Sequence, residues 1–425
     1  MILFADYGRH NSSGASRATM GIMTQARPDN VPADRVVDFD VNNPRDLARG
    51  FHESFEVLQQ PNVPDLVWTP RNEGHWLVTS GKLMMEIFPD FENFSNRIIV
   101  IPKSVGEQHQ MLPTTLDPPD HRHYRVLLNA GLSAKVVNAR EGTIRGMAAR
   151  LIDGFAGEGH CNFVSDYAEK LPIHVFLGMV DLPIEDAPKL KYWSDLIVHP
   201  DGTMSYADAA QLIYDYLDPY IEHRLTAGGD DLLSQIVNGQ VRGQPLTKAE
   251  MQSLCMQALI GGIDTVVNFL GFVFRFLSEN ADKRTELADN PGLVPAAIEE
   301  FLRRFPVVNV AREVRHDLDY AGVHLKKGDV VMLASALVGT DERMNQCPLK
   351  VDFHRTSPQH GTFGKGIHFC PGAFLARTEV RITIEEWLKR IPDFQVAPGA
   401  DVRFCTGIVG GVKSLPLVWD PSTIR

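Results

Sequence analysis

Cys370 stands in the run Phe363-Gly364-Lys365-Gly366-Ile367-His368-Phe369-Cys370-Pro371-Gly372. Two glycines before the cysteine let the backbone pass close to a flat ligand, and a third follows it. Pro371 suits a first helical turn, and Ala373, Ala376, Val380, Ile384, Trp387 and Ile391 carry an apolar stripe up to Pro392. The spacing predicts a helix from about Pro371, with Cys370 at its positive end. There the dipole and free N–H groups favour thiolate over thiol. Such a thiolate can serve as an axial ligand that pushes electron density onto haem iron. By itself, the loop reads more simply as a turn leading to a buried, inert cysteine.

A second run, Gly261-Gly262-Ile263-Asp264-Thr265, lies inside a long apolar segment that opens with the capping box Thr247-Lys248-Ala249-Glu250 and continues to about Ser278. Two glycines inside a helix cost roughly 1 kcal/mol each relative to alanine, so something must offset them. Close helix packing is one explanation. The other is room for a ligand, with a weakened ladder that admits water or dioxygen and a carboxylate beside a hydroxyl to relay protons. A third pair, Glu300 and Arg303, is one helical turn apart and by itself says little. In the segment Asp117-Pro118-Pro119-Asp120-His121-Arg122-His123-Tyr124-Arg125, His121 and Arg125 share a helix face. They can bind an anionic group or form a surface ion pair.

The cysteine loop resembles that of the cytochrome P-450 superfamily at each defining position, and near-verbatim runs such as Asn62–Thr69 and Gly261–Leu270 resemble its bacterial camphor-hydroxylase branch. The similarity runs from about Asn30 to Pro421. It implies a mainly α fold with a small β lobe, a triangular helical prism holding haem b between the long helix and the Cys370 loop. It implies Cys370 as iron ligand, with Gly261, Phe363 and Gly372 against the haem. His121, Arg125, Arg312 and His368 then match propionate ligands, and Glu300, Arg303 and Arg355 a structural triad. Asp264 and Thr265 match the residues that deliver protons during oxygen activation.

Departures from the family pattern reshape the expected pocket. A substrate-holding tyrosine corresponds to His109, two pocket phenylalanines to Val100 and Met111, and a leucine to Gln257. Ile260, Val308, Ile408 and Val409 keep the pocket apolar. The expected substrate is a small terpenoid or norisoprenoid with one acceptor, an ionone-like ketone rather than camphor. Val310 replaces an aspartate near a propionate. Pro371 replaces a leucine and offers the thiolate no N–H, which should lower the iron potential. The expected partners are a [2Fe–2S] ferredoxin and its FAD-dependent NAD(P)H reductase, with Arg122, Arg125 and the cysteine-loop surface as docking patch. A peroxide-driven hydroxylase is disfavoured by Asp264-Thr265. A haem gas or redox sensor would be expected to carry an output module.

The elements that must position these residues are mostly helical. Leu66–Thr69 and His75–Thr79, joined through Pro70–Gly74, read as a hairpin, and Val330–Leu333 as a further strand. The chain of 425 residues, 44% hydrophobic, can bury a large core. Residues 1–27 read as a disordered arm ahead of a single domain over 28–425. No uninterrupted apolar run reaches membrane-spanning length. A net charge of −11 with scattered charges argues against nucleic acid. The odd, scattered cysteines Cys161, Cys255, Cys347, Cys370 and Cys405 argue against a disulfide framework or zinc knuckle. A cytoplasmic monomer is the expectation.

Overall fold

A computed structural model describes residues 24–200 and 202–424. The expected arm falls outside these apart from residues 24–27, where Gln25 donates its N–H to Pro70 O at 2.9 Å. The architecture is mainly helical with small sheets, as the resemblance implies. The expected hairpin forms: Leu66–Thr69 pairs antiparallel with His75–Val78, placing Trp68 opposite Trp76. Asn72, Glu73 and Gly74 all take positive φ in its turn. Val330–Ala334 joins His75–Val78 in parallel and Asn309–Val314 antiparallel, and Phe94–Ser95 closes a five-stranded sheet. This register sets Arg312 beside Val331, on a strand rather than a mobile loop.

The long segment does not form one continuous helix. Lys248–Ile263 and Thr265–Glu279 are separated at Asp264, whose φ of −105° breaks the regular ladder. The capping box is present: Glu250 N–H donates to Thr247 Oγ at 3.3 Å, and Thr247 N–H to Glu250 Oε2 at 2.7 Å. The first half packs on Tyr206–Ala227 and Lys170–Met179, the second on Ala373–Arg390. By length and composition the whole segment could cross a membrane, yet most of it is buried in the fold. It is a core helix.

Both glycines line an internal cavity, and they differ in what a side chain would meet. A Cβ on Gly262 would lie 2.3 Å from the Phe176 ring, so this glycine also permits close packing. A Cβ on Gly261 would meet only Gln257 Nε2, at 3.7 Å.

The helix after the cysteine spans Ala373–Arg390, two residues later than its spacing suggests. Pro371 and Gly372 form the turn that leads into it. Around it, Phe163 stacks on Phe274 with centroids 4.0 Å apart, and Trp387 meets both rings edge-on.

Glu300 and Arg303 are buried in the helix Val294–Arg304. Arg303 clamps Glu300 at 2.7 and 2.8 Å and donates to Gly339 O and Pro348 O at 2.6 Å each. Arg355 adds a bond to Glu300 Oε2 at 3.0 Å. Two guanidiniums thus tie the loop before the cysteine to the core through one carboxylate. Glu300→Gln leaves both cations short of an anion and is expected to destabilise the fold by about 3–5 kcal/mol, read from urea unfolding.

Candidate functional site

The cysteine loop is shaped by its own backbone bonds. Cys370 N–H returns to Phe363 O at 2.9 Å, Gly364 N–H to Gly361 O at 2.9 Å, and Phe369 N–H to Gly366 O at 3.1 Å. Gly364 and Gly366 take φ of 67° and 77°, a region that suits glycine, and a Cβ on Gly366 would strike Pro89 at 2.9 Å. The loop presents Cys370, Phe363, His368 and Gly372 to a cavity of about 330 Å³. Gln257, Gly261 and Thr265 from the broken helix line the same cavity, as do Leu302, Val307, Val308 and Val310.

Burial is the larger influence on the Cys370 thiol and raises it above its ordinary value. The N–H groups of Gly372 and Ala373 and the guanidiniums of Arg125 and Arg377 act the other way. The helix-end N–H groups thus act toward the thiolate, and burial acts against them. A metal cation bonded to the sulfur is the missing contribution.

Cations collect where an anionic ligand edge would lie. Arg312 is 4% exposed, and its Nη1 donates to Ala311 O at 2.7 Å while Nε has no partner. Burial lowers its pKa only to about 10, so it stays charged. His121 and His368 stand ring to ring, 4.2 Å apart, each with an unpartnered Nε2. Burial, then neighbouring cations, lowers His368 to about 2, and burial, then Arg125, lowers His121 to about 4. Both are neutral near pH 7 and can each donate one N–H. Arg125 lines the cavity, and its guanidinium also donates to Phe369 O. Unsatisfied buried donors around an apolar cavity with a thiol in its wall fit haem and its two carboxylates.

Thr265 faces the cavity, and its hydroxyl donates to Gly261 O at 3.3 Å, replacing a main-chain partner in the broken ladder. Asp264 does not line the cavity. It is fully buried and turned to His199 Nε2 at 3.1 Å and Lys191 Nζ at 3.2 Å. Asn268 adds a bond to Asp264 Oδ2 at 3.2 Å. Burial acts upward on this carboxyl but is outweighed by the His199 bond and the Lys191 charge, so its pKa is lowered. Asp195, His199 and Asp264 present ligand atoms within 4.8 Å of one another, but the Lys191 ammonium already bridges both carboxylates. The cluster is an ion-pair network.

The pocket expected from sequence is only partly assembled. Gln257 and Val308 line the cavity; Val100, His109, Met111, Ile260, Ile408 and Val409 do not. His109 is buried behind the wall, its ring 4.8 Å from Tyr206 and its Nδ1 unpartnered, and burial lowers it to about 4. Val409 forms a bridge with Val308, so the carboxy-terminal hairpin backs the wall rather than forming it. Thr114 and Glu379 line the cavity, Lys191 and His199 hold Asp264, and Asp195 pairs with Lys191, yet none was singled out from sequence. A signal existed for the last three, which repeat every four residues along one helix face.

A helical fold with a buried thiol and orphaned cations around one cavity defines the haem-thiolate class. Residues 284–406 match the family model Cytochrome P450. The chain is 30% identical over 406 residues to a probable cytochrome P450 127A1 of Sinorhizobium fredii, covering 94% of this chain and 98% of that one. It is 33% identical to a steroid C26-monooxygenase of Mycobacterium tuberculosis, over 72% of this chain and 85% of that one. The crystal structure of CYP101J2 superposes with a TM-score of 0.86 at 43% identity, and that of CYP101C1 with 0.86 at 37%. Each covers 93% of this chain and 100% of its own. The chain belongs to the cytochrome P450 family, and its cofactor is haem b.

Arg312→Leu removes a buried cation facing the cofactor's carboxylates. It is expected to speed haem transfer to excess apomyoglobin about tenfold, the worth of one charge-assisted hydrogen bond.

Proposed function

We propose that this cytochrome P450 hydroxylates a small apolar terpenoid or norisoprenoid, with electrons delivered by a [2Fe–2S] ferredoxin and its reductase. The observation that carries the reading is that Cys370 and Thr265 face one apolar cavity while Asp264, next in the chain to Thr265, is wired to a charged cluster. Cys370 would hold the iron, and Arg312, His121, His368 and Arg125 the carboxylates. Haem supplies the activation of dioxygen and the oxidation of an unactivated C–H bond.

The chain's own residues handle protons and exclude water. Asp264, hydrogen-bonded to His199 at 3.1 Å, would bring protons from the charged cluster to the cavity by turning from His199 toward the Thr265 hydroxyl. Thr265 holds its oxygen at the cavity edge by donating to Gly261 O. Leu302, Val307, Val308 and Val310 keep the space apolar. Relatives named vitamin D(3) 25-hydroxylase and steroid C26-monooxygenase support a hydrocarbon-rich substrate.

Ferredoxin docking is assigned to the face outside the cysteine loop. Arg122 and Lys365 are exposed there with Val126, Phe369 and Phe374. Arg125 turns inward, so Arg122 rather than Arg125 carries the surface charge. Cationic rims set on-rate more than final affinity.

Reduced protein under carbon monoxide is expected to show the strongly red-shifted Soret band of thiolate ligation, lost in Cys370→Ala. Folded, haem-loaded protein without that band would defeat the reading. Asp264→Asn is expected to cut turnover on the order of 10²-fold, with substrate affinity unchanged and an enlarged solvent isotope effect. Arg122→Glu is expected to raise the ferredoxin KM several-fold at low ionic strength, the difference shrinking as salt is added.

A further inference from the structure

The geometry points to Gln257 as the residue that selects substrate, by donating its carboxamide N–H to a carbonyl or ether oxygen on an otherwise apolar molecule. The inference rests on the substrate reading above and gives it a definite donor.

Gln257 lies on the broken helix one turn before Gly261 and two before Thr265, so the three share one face. All three line the cavity. The Thr114 hydroxyl donates to Gln257 Oε1 at 2.6 Å, which engages the carboxamide oxygen and leaves the amino group pointing onward. Nε2 lies 3.7 Å from where a Gly261 Cβ would stand. No acceptor for Nε2 is found among the described residues. A primary amide carries two donors, and Gln257 is only partly buried, so these N–H groups are open to a ligand entering the cavity. Thr114 is thus the positioning residue, and the missing side chain of Gly261 keeps the space in front of the donor open.

His109, the sequence-based candidate for this task, stands behind the wall against Tyr206. The cavity lining includes Gln257 and not His109. About four residues separate Gln257 from Gly261, or ~6 Å along the axis. A ketone held at Nε2 therefore presents carbons remote from its oxygen to the Gly261–Thr265 stretch. The class favoured is a compact ketone or cyclic ether, rather than an alcohol or a pure hydrocarbon.

The test uses the haem-loaded protein and spectral titrations with camphor, its parent hydrocarbon camphane, and borneol. Gln257→Leu is expected to weaken camphor binding roughly five- to tenfold, the value of one uncharged hydrogen bond, and to leave camphane unchanged or tighter. Thr114→Val, which frees the amide, is expected to give a smaller camphor loss of about two- to threefold. His109→Phe is expected to leave the camphor-to-camphane ratio as it is in the parent protein. Equal losses on camphor and camphane in Gln257→Leu would overturn the assignment while sparing the terpenoid reading. So would faster haem loss in that variant with the ratio unmoved, which would make Gln257 a cofactor contact. A parent protein that prefers borneol, with the loss confined to borneol, would overturn it too, because the amide oxygen would then face the cavity. Binding of none of the three probes would overturn both readings.

Discussion

A buried helix can expose a reactive hydroxyl and a carboxylate in its middle only if its hydrogen-bond ladder is locally interrupted. Here the interruption lies at Asp264, and the Thr265 hydroxyl takes up Gly261 O while the Asn268 amide returns to Asp264 O at 2.9 Å. The Thr265 hydroxyl satisfies a carbonyl at the break, and Asp264 O also accepts the Asn268 main-chain N–H at 3.2 Å. Gly261 leaves open space at the break, and Gly262 lets Phe176 support it from the other side. Cavity, hydroxyl and carboxylate all depend on this one break.

Much of the fold was legible because its signals are local. The hairpin at Leu66–Val78, the capping box at Thr247 and the end of the post-cysteine helix at Ile391 each rest on turn or cap chemistry within a few residues. The cysteine loop was legible for the same reason, since its φ values and return bonds are set within ten residues. What distant segments add was not legible in the loop itself: burial opposes the helix-end N–H groups at Cys370.

The pocket wall shows the same limit. Which residues face a cavity is decided by how far a helix has rotated and which segment lies over it. His109 is one residue past a short helix, and a small turn there sets it against Tyr206 instead of the cavity. Gln257, on a long and well-anchored helix, is held where the period places it. Long helices transmit register faithfully over many residues; short ones are placed by whatever packs on them.

Asp264 shows how burial and function are reconciled. A fully buried carboxylate with no cation would protonate or destabilise the fold. Lys191, on the helix Ala187–Val198, and His199, just past its end, reach it, and Asp195 shares the Lys191 ammonium. The network therefore meets a structural need before it meets a chemical one. Its composition nevertheless matters to chemistry. Lys191 is driven upward by its carboxylate neighbours and stays charged across the neutral range, so it can anchor Asp264 but cannot readily give up a proton. His199 is the other partner, with Nε2 3.1 Å from Asp264 Oδ2. Lys191 and His199 thus hold one oxygen each of the same carboxylate, Oδ1 and Oδ2, and together fix its orientation at the break in the helix.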